Sequence, residues 1–363
     1  MSQADTNIAG YAADALASLS PAQVQFLRNL PKAELHAHLN GCIPITVLKN
    51  IADNDFPGTS GKSATVPEVV RNGIQRLQDG VELNKISDFF GLFPAIYTLT
   101  SNPKALATAT RAVLSLFLDP DADPVNPQPQ AAYLELRSTP RETDHMTRMQ
   151  YVQTVLDEVE RYPPERAALL VSVDRKMKVA VVEEIVQIAI CLRNEGRRVV
   201  GIDICGDPLA GDMKQFEPYF KAAKENGLSI TLHIAETPDN SSEDTLQLLS
   251  YNPDRLGHAT FLDGPARQAV FSSNAAVEIC LSSNLLCKTV QNLDEHHIRH
   301  YLECSHPVAI CTDDTLPFRN SLLGEYALLL AAPPLGLGLV EAEVERIARM
   351  SMKSRFPILA SSR

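Results

Sequence analysis

Tryptophan is missing from the 363-residue chain and aromatic residues make up only 6% of it, an absence that by itself decides nothing about fold. Positive charge is scarce: 33 Lys and Arg stand against 44 Asp and Glu, for a formal net charge of −11. Such an average surface repels nucleic acid and anionic membranes, while an anionic small molecule held by a few local cations stays open. No apolar run approaches the roughly 18 residues that a membrane-crossing helix needs. Residues 1–30 lack a basic start followed by an apolar core, so a soluble, unprocessed chain is expected. Cys-x-x-Cys pairs are also absent. The seven cysteines, Cys42, Cys191, Cys205, Cys280, Cys287, Cys304 and Cys311, are odd in number and scattered, which fits reduced thiols in the cytoplasm. Neither an internal repeat nor a low-complexity tract stands out.

What is present is alternation. Hydrophobic residues make up 45% of the chain, ample for a packed core, and the length suits two ordinary domains or one large barrel. Eight short apolar or β-branched runs recur at 33–39, 131–137, 168–174, 198–204, 229–235, 254–258, 276–281 and 307–312. Between them, 152–161, 179–194, 216–225, 244–250 and 322–330 carry helical periodicity, the pattern of βα units and a parallel sheet. The expected fold is α/β, a (β/α)8 barrel of the metal-dependent hydrolase type forming one domain over 1–363. Residues 1–29 would be an N-terminal helical extension and 42–130 a helical insertion over the barrel mouth. Turn-forming punctuation falls at 54–63 and 119–130, and 340–356 reads as a closing helix. The rival, a doubly wound open sheet, would need a glycine-rich turn after the first strand, which His36-Ala37-His38-Leu39-Asn40-Gly41 does not supply.

Polar residues that would be awkward inside a strand collect at strand C-terminal ends, which a barrel gathers at one mouth. His36 and His38 sit two apart and project to the same side of an extended strand. Strand five ends in His233, with Glu236 just beyond, and strand six ends in Gly257-His258. Blander readings exist, a helix-capping Glu and satisfied core histidines. Strand eight ends in Thr312-Asp313-Asp314, and two adjacent carboxylates there cost several kcal/mol each to desolvate unless paired or metal-bound. If the strand continues through them, Asp313 and Asp314 face different ways. Three histidines and Asp313 suit Zn2+ with no thiolate required, five-coordinate once a water is added. Glu236 and His258 then have the chemistry of general acid and base.

The order of these segments resembles the adenosine deaminase superfamily. The resemblance runs through Glu34-Leu35-His36-Ala37-His38-Leu39-Asn40-Gly41, Ile204-Cys205-Gly206-Asp207-Pro208, Leu232-His233-Ile234-Ala235-Glu236, Arg255-Leu256-Gly257-His258-Ala259, Ser282-Ser283-Asn284 and Cys311-Thr312-Asp313-Asp314. Asn40 and Glu135-Leu136-Arg137-Ser138-Thr139-Pro140-Arg141 are similar to the adenosine deaminase-like branch, which acts on N6-methyl-AMP; nucleoside-specific members usually carry Asp at the position of Asn40. The resemblance implies one Zn2+ on His36, His38, His233 and Asp313. It implies Glu236 protonating purine N1, His258 orienting and deprotonating the attacking water, Asp314 at N7 and the Gly206 N–H at N3. It further implies Asn40, Ser138, Thr139, Pro140 and Arg141 near ribose and phosphate, Asp174 as another substrate contact, and His38 beside the substrate as well as the metal. The branch often has histidine where this chain has Tyr97, which leaves the phosphate or lid contact of that helix open. The implied activity is hydrolytic deamination of a nucleoside monophosphate, N6-methyl-AMP to IMP and methylamine, by a monomer. Alternatives are deamination of adenosine or adenine, amidohydrolase chemistry on another ring or amide, and a non-catalytic metal-binding barrel with a structural or signalling role. The His-x-Glu with Pro-Cys-x-x-Cys pattern of cytidine-type zinc deaminases is missing.

Overall fold

Each apolar run becomes a strand because its β-branched and aliphatic side chains pack on both faces of a pleated sheet. A computed structural model, which describes residues 8–55, 67–80, 90–123 and 127–358, places eight parallel strands in the order β1 to β8. They are β1 Ala33–His38, β2 Tyr133–Ser138, β3 Ala167–Asp174, β4 Val199–Cys205, β5 Ser229–Ile234, β6 Arg255–His258, β7 Ala276–Ile279 and β8 Val308–Ile310. All eight expected runs are strands, several one to three residues shorter. Helices join them in the alternation that marks a (β/α)8 barrel. No helix among the described residues is long and apolar enough to cross a membrane.

Helix boundaries depart from the periodicity where capping chemistry intervenes. The helix expected from residue 152 begins at Arg148, because Thr147 accepts from the Gln150 amide in a capping box. The final helix, Glu341–Lys353, stops short of residue 356 because the chain beyond it is used elsewhere. Arg255 donates to the Ser354 carbonyl at 2.9 Å and stacks 3.5 Å above the Phe356 ring, whose amide donates to Glu135 at 2.7 Å. Helices Tyr11–Ser18 and Pro21–Asn29 precede β1, and Ile45–Asp55, Glu68–Asp79, Phe93–Leu99 and Pro103–Leu118 lie between β1 and β2. Most of the expected turn at 54–63 lies outside the described residues.

Seven parallel ladders join consecutive strands; β8 and β1 meet differently. The buried Glu34 carboxylate accepts from the His36 amide at 2.8 Å and from the Thr312 amide at 2.9 Å, and the His38 amide reaches the Asp313 carbonyl at 3.4 Å. This seam lies directly beneath the strand ends that carry His36, His38 and Asp313.

Candidate active site

Two-residue alternation on β1 and the end of β5 bring three imidazoles to one point. His233 Nε2 lies 3.0 Å from His36 Nε2 and 3.1 Å from His38 Nε2. Asp313 Oδ1 is 3.9 and 3.7 Å from His36 and His38 Nε2. The far side of each buried ring decides what these atoms are. His36 Nδ1 faces Glu278 Oε2 at 2.5 Å, and His233 Nδ1 faces the Ile204 carbonyl at 2.8 Å and Asp203 Oδ1 at 3.1 Å. Those partners only accept, so each Nδ1 carries a proton, and on a neutral ring Nε2 is left with a lone pair. Burial, with Arg137 nearby, holds His36 well below its ordinary pKa and so neutral. Burial opposes charge on His233 too, but Asp203 outweighs it. Lone pairs 3.0 Å apart repel unless a cation lies between them. The donor set of three nitrogens and a carboxylate fits zinc, and the Nδ1 contacts fix ring orientation as ligand-orienting partners do.

Beneath these rings lies an ionic layer that the strand-end reading passed over. Arg137 on β2 pairs with Glu278 on β7 at 2.8 Å and with Asp203 on β4 at 3.3 Å. Arg255 on β6 pairs with Glu278 and Glu135, both at 2.6 Å. All five side chains are fully buried. Burial alone would raise Glu278, yet Arg137 and Arg255 hold it well below the carboxylate range, so it stays ionised under His36. The signal was available: Asp203 and Glu278 are single charges inside otherwise apolar strands, which the desolvation argument applied to Asp313 and Asp314 would have flagged.

Around the rim stand Glu236, His258, Asp313 and Asp314. His258 Nε2 lies 3.6 Å from Glu236 Oε1 and 4.0 Å from Asp313 Oδ2. Glu236 does not cap a helix; Ser241 caps the one that follows, accepting from Asp244 at 3.1 Å. Burial, with Asp313 nearby, pushes Glu236 up to about 7, and burial with His233 nearby holds His258 well below its usual range. Alternation does not aim Asp313 and Asp314, because β8 ends at Ile310 and Asp313 turns in the left-handed region at φ 62°. Ala235, His258 and Ala259 share that conformation, which L residues adopt at a cost. The turn lays Asp314 against Gly41, where a Cβ would overlap its carboxylate.

These groups line one open cavity together with Asn40, Ser138, Thr139, Arg141, Asp174, Gly206 and Tyr97. Pro140 is buried behind it and does not line it; His36 lies beneath. Gly206 takes φ 94°, and a Cβ there would come 2.7 Å from Asp174 Cγ. Ser138-Thr139-Pro140 is not a helix-entry turn, since Thr147 performs that task. Arg141 is half-buried, its guanidinium 3.0 Å over the Tyr97 ring and its Nε without a hydrogen-bond partner. Sequence reasoning missed Tyr151, whose buried hydroxyl lies 2.8 Å from Ser138 Oγ. A tyrosine one turn into an amphipathic helix carries no signal distinguishing it from core.

Known proteins are similar to this chain along most of its length. The family model described as Adenosine deaminase matches residues 31–360. The human N6-methyl-AMP deaminase is 34% identical over 322 residues, covering 85% of this chain and 84% of that protein. The apo structure of the N6-methyl-AMP deaminase from Arabidopsis thaliana superposes with a TM-score of 0.77 at 31% identity, over 92% of this chain and 94% of that one. An Arabidopsis ADAL structure complexed with IMP does so with a TM-score of 0.77 at 30% identity, over 93% and 94%.

Proposed function

The chain belongs to the adenosine deaminase family, and on that premise we propose that it is a zinc-dependent aminohydrolase converting N6-methyl-AMP to IMP and methylamine. The reading rests on one cavity that holds the histidine cluster and a protonatable Glu236 together with the Arg141 guanidinium. In this reading the chain works as one barrel domain, with the stretch between β1 and β2 contributing Phe93 and Tyr97 to the cavity wall. The relatives' nucleotide chemistry and the seven free thiols fit a small purine nucleotide handled in a reducing cytoplasm.

His36, His38, His233 and Asp313 would hold the ion. When bound, zinc supplies Lewis acidity that makes water nucleophilic near neutral pH. Water adds to purine C6; neutral His258 takes its proton, and Glu236 gives its own to N1, relieving the charge that loss of ring conjugation puts there. The amine departs with the proton that His258 took from water, and the C6 hydroxyl returns one to Glu236 as its oxygen becomes the carbonyl. His258 also lies within ligand reach of His36 and Asp313, and in this reading it serves as base, its Nε2 facing Glu236 at 3.6 Å.

Since Glu236 acts as an acid with its pKa raised to about 7, it is charged and unable to donate above that value. Turnover is therefore expected to fall as pH rises through the neutral range, approaching tenfold per unit. A kcat that stays flat between about pH 6 and 9 would place the acid elsewhere.

The phosphate assignment is tested at Arg141 and Asn40. Arg141→Ala should raise KM for N6-methyl-AMP on the order of 10- to 100-fold, and much less for the matching nucleoside, since a charged hydrogen bond is lost only with the nucleotide. Asn40→Asp should shift preference toward the nucleoside, because a carboxylate roughly 5 Å from phosphate costs about 3 kcal/mol at an effective dielectric near 20. Equal losses on both substrates would favour adenosine as substrate. Asn40 Oδ1 is buried without a donor, which a ribose hydroxyl of either substrate would supply.

A further inference from the structure

Part of the cavity wall is built on a hydroxyl that does not reach the cavity. Tyr151, on the helix Arg148–Val159, is fully buried and does not line the cavity. Its hydroxyl lies 2.8 Å from Ser138 Oγ and accepts from Asn40 Nδ2 at 3.4 Å. Ser138 and Asn40 do line the cavity, and Asn40 is only 7% exposed with Oδ1 unpartnered. We propose that Tyr151 is a positioning residue that couples these two groups, so that one donates and the other accepts toward the 5′ end of the substrate, and so sets the preference for nucleotide over nucleoside.

The inference rests on the reading that Asn40 and Ser138 face that end of the substrate. A phenol has one proton to give, and burial keeps it on Tyr151 by pushing the group up. When the hydroxyl accepts from the Asn40 amide, it donates to Ser138. The Ser138 proton is then free for a ligand oxygen, and Asn40 presents its carbonyl. With the amide turned over, Tyr151 donates to Asn40 Oδ1, Ser138 donates to Tyr151, and the Asn40 NH2 faces the ligand. Either way the pair offers one donor group and one acceptor, matching a phosphate oxygen beside a ribose hydroxyl. Without the phenol hydroxyl the two groups are no longer coupled, and neither is held in the orientation that the ligand requires.

The test compares equilibrium binding of IMP and inosine to the zinc-loaded protein by calorimetry. Tyr151→Phe is expected to weaken IMP roughly tenfold and inosine less than about threefold, with melting temperature and zinc content recorded alongside. Ser138→Ala, which leaves the buried ring in place, should reproduce the change, and the double variant should add little to it. Equal weakening of both ligands, or IMP affinity retained in Tyr151→Phe, would overturn the inference while leaving the phosphate reading intact. Wild-type protein that binds inosine as tightly as IMP would overturn the phosphate reading and this inference with it.

Discussion

Glu236→Gln is expected to keep the fold and the metal and to lose on the order of 10²- to 10⁴-fold in kcat. The amide occupies the same volume and can still hydrogen-bond, but it has no proton to transfer to N1. Stability should hold or rise slightly, because the substitution removes a buried carboxyl that Asp313 and desolvation already push up to about 7. Turnover of N6-methyl-AMP followed by ultraviolet absorbance, with zinc measured by elemental analysis, checks both halves. A variant with near-normal kcat would mean that another group protonates the ring.

Removing the metal should have the second large effect. Purified protein is expected to carry one zinc per chain, and chelator dialysis should abolish turnover and lower the melting temperature. The physical reason lies in the rings: neutral His36 has its Nδ1 proton committed to Glu278, so its Nε2 lone pair faces His233 at 3.0 Å. Without a cation, His233 must either repel it or take up a proton in a buried site. An ion present at a thousand times its dissociation constant contributes about 4 kcal/mol to the folded state. Metal-free protein with full activity would sink the hydrolytic mechanism.

How much of this is legible in the sequence depends on the kind of signal. Eight strands and the residues closing them could be read because His36, His38, His233 and His258 interrupt apolar runs at their C-terminal ends, where a barrel concentrates its chemistry. The turns that aim them could not. Ala235, His258, Ala259 and Asp313 take left-handed backbone without a glycine to announce it. Tertiary packing imposes that conformation, so Asp313 and Asp314 read as a continuing strand. The ionic layer was legible and went unread, because Asp203 and Glu278 lie within strands and not at their ends. Tyr151 belongs to a third class, since what matters is the hydroxyl's two neighbours, one of them 111 positions away.

The seam between β8 and β1 has a consequence in polymer terms. The Glu34 to Thr312 contact spans 278 positions, so it joins parts of the chain far apart in sequence. Closing a flexible loop of that length costs roughly 5 kcal/mol of chain entropy, apart from a constant. An ion shared by His36, His38 and Asp313 would bridge the same two strands, and would act as a reversible cross-link at the joint where the barrel is least tied by backbone ladders. Catalytic metal and ring closure would then coincide, and a chain that loses the ion would keep β8 and β1 joined by the Glu34 and His38 hydrogen bonds.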